Sequence, residues 1–248
     1  MILEGPDLVV AALDAGVELE SVYFEAAARS PRHQACAEAL TRAEARGVEL
    51  VELADGVLER VADARSPQPV LGLAPMPPSG LDVIPARGLV LVLCEVNDPG
   101  NLGTAIRSAD AAGAAAVVVC GQSVDVFNPK TLRATAGSVF QVPVAVAPTL
   151  SAVVVALHES ERTVLGAVVE GGEPLWSASL ARDVAVVVGA EASGLSDEDR
   201  ALLDGEISIE MDGHAQSLNA GVAAALVCFE SLRQRRASPA PDGPAPTL

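Results

Sequence analysis

The sequence predicts an α/β protein in two parts, a small α/β unit over residues 1–74 and a parallel sheet covered by helices over residues 89–236. Three observations carry this expectation. From residue 89 onward, short β-branched runs alternate with helical stretches, the pattern of strands buried on both faces. Residues 75–88 hold Pro75, Pro77, Pro78, Gly80 and Pro85, too broken for regular structure, and read as a linker. Half of the 248 residues are hydrophobic, mostly Ala, Val and Leu, enough for a sizeable core.

In chain order, the first part opens with a helical stretch whose apolar positions include Leu8, Val9, Ala12 and Leu13, followed by a short strand at 21–24. A second round has a helix over 31–46, rich in Ala, Glu and Leu and ended by Gly47, then a strand over 48–52. Beyond the linker, strands are expected at 89–94, 116–120, 142–146, 164–168 and 184–188, with a short sixth at 207–209. The last helix should run over 217–235. The tail, 237–248, is Pro, Ala and Gly with little to bury, and disorder is expected there.

No run approaches the roughly 18 apolar residues of a membrane span. Met1 to Gly5 lack a basic flank before an apolar stretch, so no export signal is read, and the expectation is a soluble cytoplasmic protein with no membrane partner. Cys36, Cys94, Cys120 and Cys228 form no CxxC pair, and His33, His158 and His214 have no ligand spacing, so no metal is expected and the thiols read as buried and reduced. The formal charge of -17 opposes nucleic-acid binding, yet binding follows the local field, and the few cations fall partly in short groups.

Three loops at the carboxyl ends of strands hold the candidate chemistry, because open α/β sheets bind ligands there. The first runs over residues 97–107, with Pro99 and Gly100 making a turn, Asn101 able to cap the next helix and Arg107 able to clamp a phosphate or a ribose hydroxyl. Alone, a cap and a solvated charge are the commoner readings. The second, 189–196, combines Gly189 and Gly194 with Glu191, an acceptor-only carboxylate, and Ser196 positioned to cap a helix containing Asp197, Glu198 and Asp199. The third, 209–219, ends in Ser217, Leu218 and Asn219, where capping is again sufficient by itself.

Together, in this order, the three loops resemble the three motifs of the SpoU/TrmH methyltransferases of the SPOUT class. Asn128-Pro129-Lys130 with Arg133, followed by Ala136 to Phe140, resembles the stretch after the second strand in that family. Residues 1–74, especially Glu4-Gly5 and Val10 to Leu13, are similar to the substrate-binding domain many members carry. The resemblance departs at Ala190 and Ala192, where Asn or Ser and Gly are common, and at Ala220-Gly221, where Val-Ser is common.

The resemblance implies a deep trefoil knot at the carboxyl-terminal end, a feature that general topology rules exclude. It implies S-adenosylmethionine bound at Gly189, Glu191, Ile209, Met211, Ser217 and Leu218, and a site completed across a homodimer. It assigns the catalytic set to Arg107, Asn101, Glu191, Ser217 and Asn219; Lys130 and Arg133, among the few basic residues near that site, are the expected RNA contacts. The implied reaction is 2′-O-methylation of an RNA ribose, with ribosomal RNA favoured over transfer RNA by the separate amino-terminal domain. A guanidinium in water keeps its proton throughout the ordinary pH range and is a poor base, so Arg107 reads either as a base in a perturbing site or as an orienting group. Two other readings compete: a non-catalytic RNA-binding protein on the same fold, and an enzyme acting on a small metabolite.

Overall fold

The computed structural model describes residues 1–64 and 66–237. The amino-terminal part is a four-stranded sheet in the order β1-β4-β2-β3, from β1 (Ile2–Glu4), β2 (Ser21–Glu25), β3 (Glu49–Leu53) and β4 (Val70–Leu73). β2 and β3 are parallel, and β4 is antiparallel to both β1 and β2. Helices α1 (Pro6–Asp14) and α2 (Gln34–Ala45) cover it through Leu8, Val9, Leu13, Cys36 and Leu40, and the one-turn α3 (Leu58–Val61) follows β3. The expected helix over 31–46 splits into a 3-10 turn at Pro31–His33 and α2 proper. β1 and β4 were not expected; both are short, and only tertiary pairing makes them strands.

The second sheet has seven strands, all parallel, in the order β7-β6-β5-β10-β8-β11-β9. They are β5 (Val90–Cys94), β6 (Ala116–Cys120), β7 (Val144–Ala147), β8 (Thr163–Val168), β9 (Glu173–Pro174), β10 (Val184–Val188) and β11 (Gly205–Ser208). Helices α4 (Pro99–Ala111), α5 (Pro129–Thr135), α6 (Leu150–Glu159), α7 (Asp197–Arg200) and α8 (Ala220–Ala237) connect and cover them. β5, β6 and β10 are buried at every position, the reason they read as unbroken apolar runs. β7 starts two residues later than expected, because Pro143 has no N–H to give the ladder; its carbonyl still accepts from Val117 N at 2.9 Å. β11 starts earlier than expected and ends at Ser208, leaving Ile209 in the following loop. α8 ends at Ala237, and residues 238–248 of the expected tail lie outside the described residues.

Residues 75–88 hold only a 3-10 turn, Leu81–Val83, but the segment is anchored. Ser79 O accepts from Val146 N at 2.7 Å, extending the free edge of β7. Arg162, 2% exposed, donates to the carbonyls of Pro85 and Gly88 and to Ser160 Oγ. One continuous hydrophobic cluster joins α1, α2 and β2 to α4, β5 and α8, so the two sheets share a core. All four cysteines are buried free thiols, and Cys94 and Cys120, scattered in sequence, are register partners on β5 and β6.

Candidate active site

The sheet order places β10, late in the chain, directly between β5 and β8. β5 leads through α4 to one side of the sheet, while β8 and β11 lie on the other, so the gap above β5 and β10 is the topological switch point where such sheets bind ligands. The loops after β5 and β10 are therefore neighbours, although their residues are some ninety positions apart.

A hydrogen-bonded chain ties three loops together there. Glu191, after β10, accepts from Asn101 Nδ2 at 2.9 Å and from the backbone N–H groups of Asp98 and Asn97 at 3.3 and 3.4 Å. Asn101 Oδ1 accepts from Asn219 Nδ2 at 2.7 Å, and Asn219 Oδ1 in turn accepts from Val222 N at 3.2 Å, capping α8. Burial would push the Glu191 carboxyl up, but the Asn101 amide and the backbone donors outweigh it and hold it below the usual carboxylate range. Glu191 is thus an ionised acceptor joining the first loop to the second, and Asn101 and Asn219 relay the link to the third.

Local chemistry fixes each participant. The cap of α4 is Asp98, whose side chain accepts from Asn101 N at 2.8 Å with Pro99 at the first helical position. This corrects the expectation that Asn101 is the cap; relieved of it, the Asn101 side chain is free to bridge Glu191 and Asn219. Ser196 caps α7 in a complete capping box with Asp199, as expected. Gly189 is buried where a Cβ would lie 2.4 Å from the Gly194 carbonyl carbon, so the loop can close on itself only with glycine at 189. α8 starts at Ala220 rather than at 217, and Gly221 faces Asn101 O, where a Cβ would lie 3.1 Å away.

Beside this network lies a half-open pocket of about 190 Å³. Gly189, Glu191, Ile209, Met211, Ser217 and Leu218, the whole expected cofactor set, line it. Sequence reasoning missed Val168, Val169 and Ala223 in its walls, which carry no polar signal and read only as strand and helix. Apolar walls with a carboxylate, two serines and exposed loop backbone suit a flat heteroaromatic ring carrying polar and cationic groups. The donor set therefore fits S-adenosylmethionine.

The remaining candidates lie elsewhere. Arg107 stands exposed on α4, two turns beyond Asn101, and does not line the pocket. Lys130 is exposed on α5. Arg133 is committed to carboxylates of the amino-terminal unit: it pairs with Glu4, whose side chain is 6% exposed, and with Asp63 at 3.2 Å.

The chain is similar to known proteins over most of its length. Residues 88–229 match the SpoU rRNA Methylase family, and residues 1–72 match an MRM3-like substrate binding domain. The 23S rRNA (guanosine-2′-O-)-methyltransferase RlmB of Ralstonia nicotianae is 34% identical over 228 residues, 90% of each chain. The 23S rRNA (uridine(2479)-2′-O)-methyltransferase of Streptomyces viridochromogenes is 34% identical over 188 residues, 73% of this chain and 66% of that protein. Among solved structures, the SpoU methyltransferase AviRb from Streptomyces viridochromogenes in complex with AdoMet superposes with a TM-score of 0.84 at 28% identity, over 96% of this chain and 91% of that one. The AdoMet-bound rRNA methyltransferase of Sinorhizobium meliloti gives 0.79 at 30% identity, over 94% and 87%. With its sheet, its amino-terminal unit and most of its length matched in this way, the chain belongs to the SpoU rRNA methylase family.

Proposed function

We propose that this protein transfers the methyl group of S-adenosylmethionine to a ribose 2′-oxygen of ribosomal RNA. The observation that carries the reading is the Glu191–Asn101–Asn219 chain, which locks three loops around an apolar pocket at the switch point of the sheet. The cofactor supplies an electrophilic methyl on a sulfonium. The residues of this chain supply the rest. Gly189, Ile209 and Leu218 form the pocket floor and walls, and the ionised Glu191 places negative charge at its rim. Arg107 holds or deprotonates the 2′-hydroxyl, and the gain comes from bringing that oxygen into line rather than from new chemistry on the protein.

Arg107 is exposed and does not line the pocket of its own chain, and this supports a site completed by a second copy. α8 presents Val222 and Phe229, 45% and 48% exposed, with Leu226 between them on the same face. α8 packs directly against α4, which carries Arg107. An apolar strip next to an unused arginine is what an isologous dimer would cover while delivering each Arg107 to its partner's pocket. Mixing Arg107→Ala protomers with pocket-blocked Ala223→Trp protomers should restore part of the lost activity, whereas no restoration would place Arg107 in its own chain's site.

The trefoil knot belongs to the same reading. It is supported by β10 entering between β5 and β8, and by the 209–219 segment lining one pocket with the 189–196 loop before α8 docks on α4. Among the described residues no helix is long and apolar enough to cross a membrane, and a ribosomal substrate is consistent with a cytoplasmic protein. Ribosomal RNA is favoured over transfer RNA because the relatives aligned over most of the chain are named for 23S rRNA, while a structure titled for methylation of tRNA position 34 covers 62% of this chain at a TM-score of 0.57. Calorimetric titration with S-adenosylmethionine, then incubation of labelled cofactor with separated ribosomal and transfer RNA, tests the reading. Binding with label in ribosomal RNA supports it; label confined to transfer RNA, or absent from both, overturns it.

A further inference from the structure

The chain carries a formal charge of -17, so an RNA-facing surface requires cations that its own carboxylates have not already neutralised. Seven of the fifteen arginines are already committed to partners of the chain itself. Arg42 pairs with Asp14, Arg87 with Asp183, Arg200 with Glu206 and Arg233 with Glu230. Arg162 is buried under the linker, and Arg235 donates to the carbonyl of Ala112. Arg133, on the helix that sequence reasoning assigned to RNA, is neutralised by Glu4 and Asp63.

Among the other cations of the described residues, Arg46, Arg107, Arg182 and Arg236 stand exposed at separate positions, while Arg29, Arg32 and Arg60 lie at one end of the small sheet. Residues 26–33, which connect β2 to α2, read Ala-Ala-Ala-Arg-Ser-Pro-Arg-His and contain no carboxylate. Arg29 and Arg32 are exposed there without an ion pair, and the Arg29 guanidinium stacks over the Phe24 ring, 4.8 Å from its centre. His33 is held by Ser30 Oγ and Ala27 O. Arg60 on α3 is exposed at the same end of the small sheet, because Leu58 N donates to Glu25 Oε1 at the end of β2. β1 also finishes at this end, and through Glu4 it meets Arg133 on α5. Lys130 stands exposed one turn earlier on that helix. α5 is seated against α4 at Gly103, where a Cβ would lie 2.3 Å from Ala134 Cβ, two residues from Asn101. A band holding Arg29, Arg32, Arg60 and Lys130, with the carboxylates of Glu59 and Asp63 inside it, therefore runs from the 26–33 connection towards the edge of the candidate active site.

Resting on the reading of the protein as an rRNA methyltransferase, we infer that the 26–33 connection, through Arg29 and Arg32, is the phosphate-gripping end of the RNA path, and that Arg133 is an interdomain clamp rather than an RNA contact. The rigid seating of the small sheet by Glu4–Arg133 sets the distance between this grip and the pocket, so the connection selects where along the RNA the target ribose falls.

The test uses the full-length protein, deproteinised 23S rRNA as probe, and filter binding across a salt series. Losing two phosphate contacts lowers the slope of log affinity against log salt by about 1.4 to 1.8, which at about 0.15 M salt is about 15- to 30-fold weaker binding. Arg29→Ala/Arg32→Ala should show that loss with unchanged affinity for S-adenosylmethionine, and lysine at both positions should restore RNA affinity. Arg46→Ala/Arg236→Ala removes equal charge away from the band and should change RNA affinity no more than about twofold. If the 29/32 variant behaves like this control, the inference is wrong while the methyltransferase reading stands. If the wild type binds S-adenosylmethionine but no rRNA at all, both fail.

Discussion

Replacing Asn101 by alanine removes both side-chain bonds that join the three loops, one to the Glu191 carboxylate at 2.9 Å and one from Asn219 at 2.7 Å. A hydrogen bond to a charged group is worth about 1.5–3 kcal/mol and a neutral one about 0.5–1.5 kcal/mol, but both partners here are exposed and water replaces part of each. A combined loss of about 1–2 kcal/mol remains, about 5- to 30-fold in any equilibrium that needs the loops in register. α4 itself is untouched, because Asp98 still caps it and alanine is the better helix former. Calorimetry should therefore show S-adenosylmethionine affinity falling about 5- to 30-fold with melting temperature nearly unchanged. Asn219→Ala should add little to the affinity loss on top of Asn101→Ala, since the two share one bond, while its loss of the Val222 N–H bond that caps α8 should appear as a lower melting temperature. An affinity within twofold of wild type, or losses that simply add, would refute the idea that this chain of side chains orders the pocket.

Gly103→Ala should destabilise the protein despite its gain in helix propensity, since the new methyl meets Ala134 Cβ at 2.3 Å and its backbone carbonyl carbon at 2.8 Å; a cost of about 1–3 kcal/mol is expected in denaturant unfolding, and a stabilised variant would contradict the close seating of α4 on α5. Arg133→Met strips the partner from the nearly buried Glu4, costing about 1–2 kcal/mol after allowing for the partial exposure of Arg133, or about 3–6 °C in melting temperature, and adding Glu4→Leu should recover most of it. Because the Glu191 carboxyl is held down, its contribution is fully present above the unfolded carboxylate range, near about 4.3, and is lost as pH falls through the lower folded value. The affinity ratio of wild type to Glu191→Gln for S-adenosylmethionine should accordingly stay constant from pH 8 to pH 5, and a ratio that collapses within that window would show that Glu191 is not held ionised.

What the sequence reveals follows burial. β5, β6 and β10 are legible because burial on both faces demands continuous apolar runs, and β6 and β10 match residue for residue. β9 is two residues long and contains Pro174, so it has no periodicity to read, and β1 becomes a strand only through pairing with β4. Within the site, the loops announce themselves by Gly, Asn and Ser at strand ends, and the cofactor set follows from their resemblance to a family. The cap at Asp98 was also visible in the Asp-Pro pair, which marks a helix start more strongly than Asn101 does. The link of Asn101 to Glu191 and to Asn219 spans 90 and 118 positions and arises from strand order, which local pattern does not encode. The pairing of Arg133 with Glu4 is hidden for the same reason: 129 positions separate them, and a lone arginine after a helix cap reads as an RNA contact.

The most direct test of the account is the position of the transferred methyl. Protein, S-adenosylmethionine and 23S rRNA would be incubated, and the RNA cleaved with alkali and examined by mass spectrometry. Alkaline cleavage needs a free 2′-hydroxyl, so the account predicts one alkali-resistant dinucleotide carrying the methyl on ribose, absent from a parallel reaction with Arg107→Ala. A methyl found on a base, or RNA cleaved completely to mononucleotides, would contradict it.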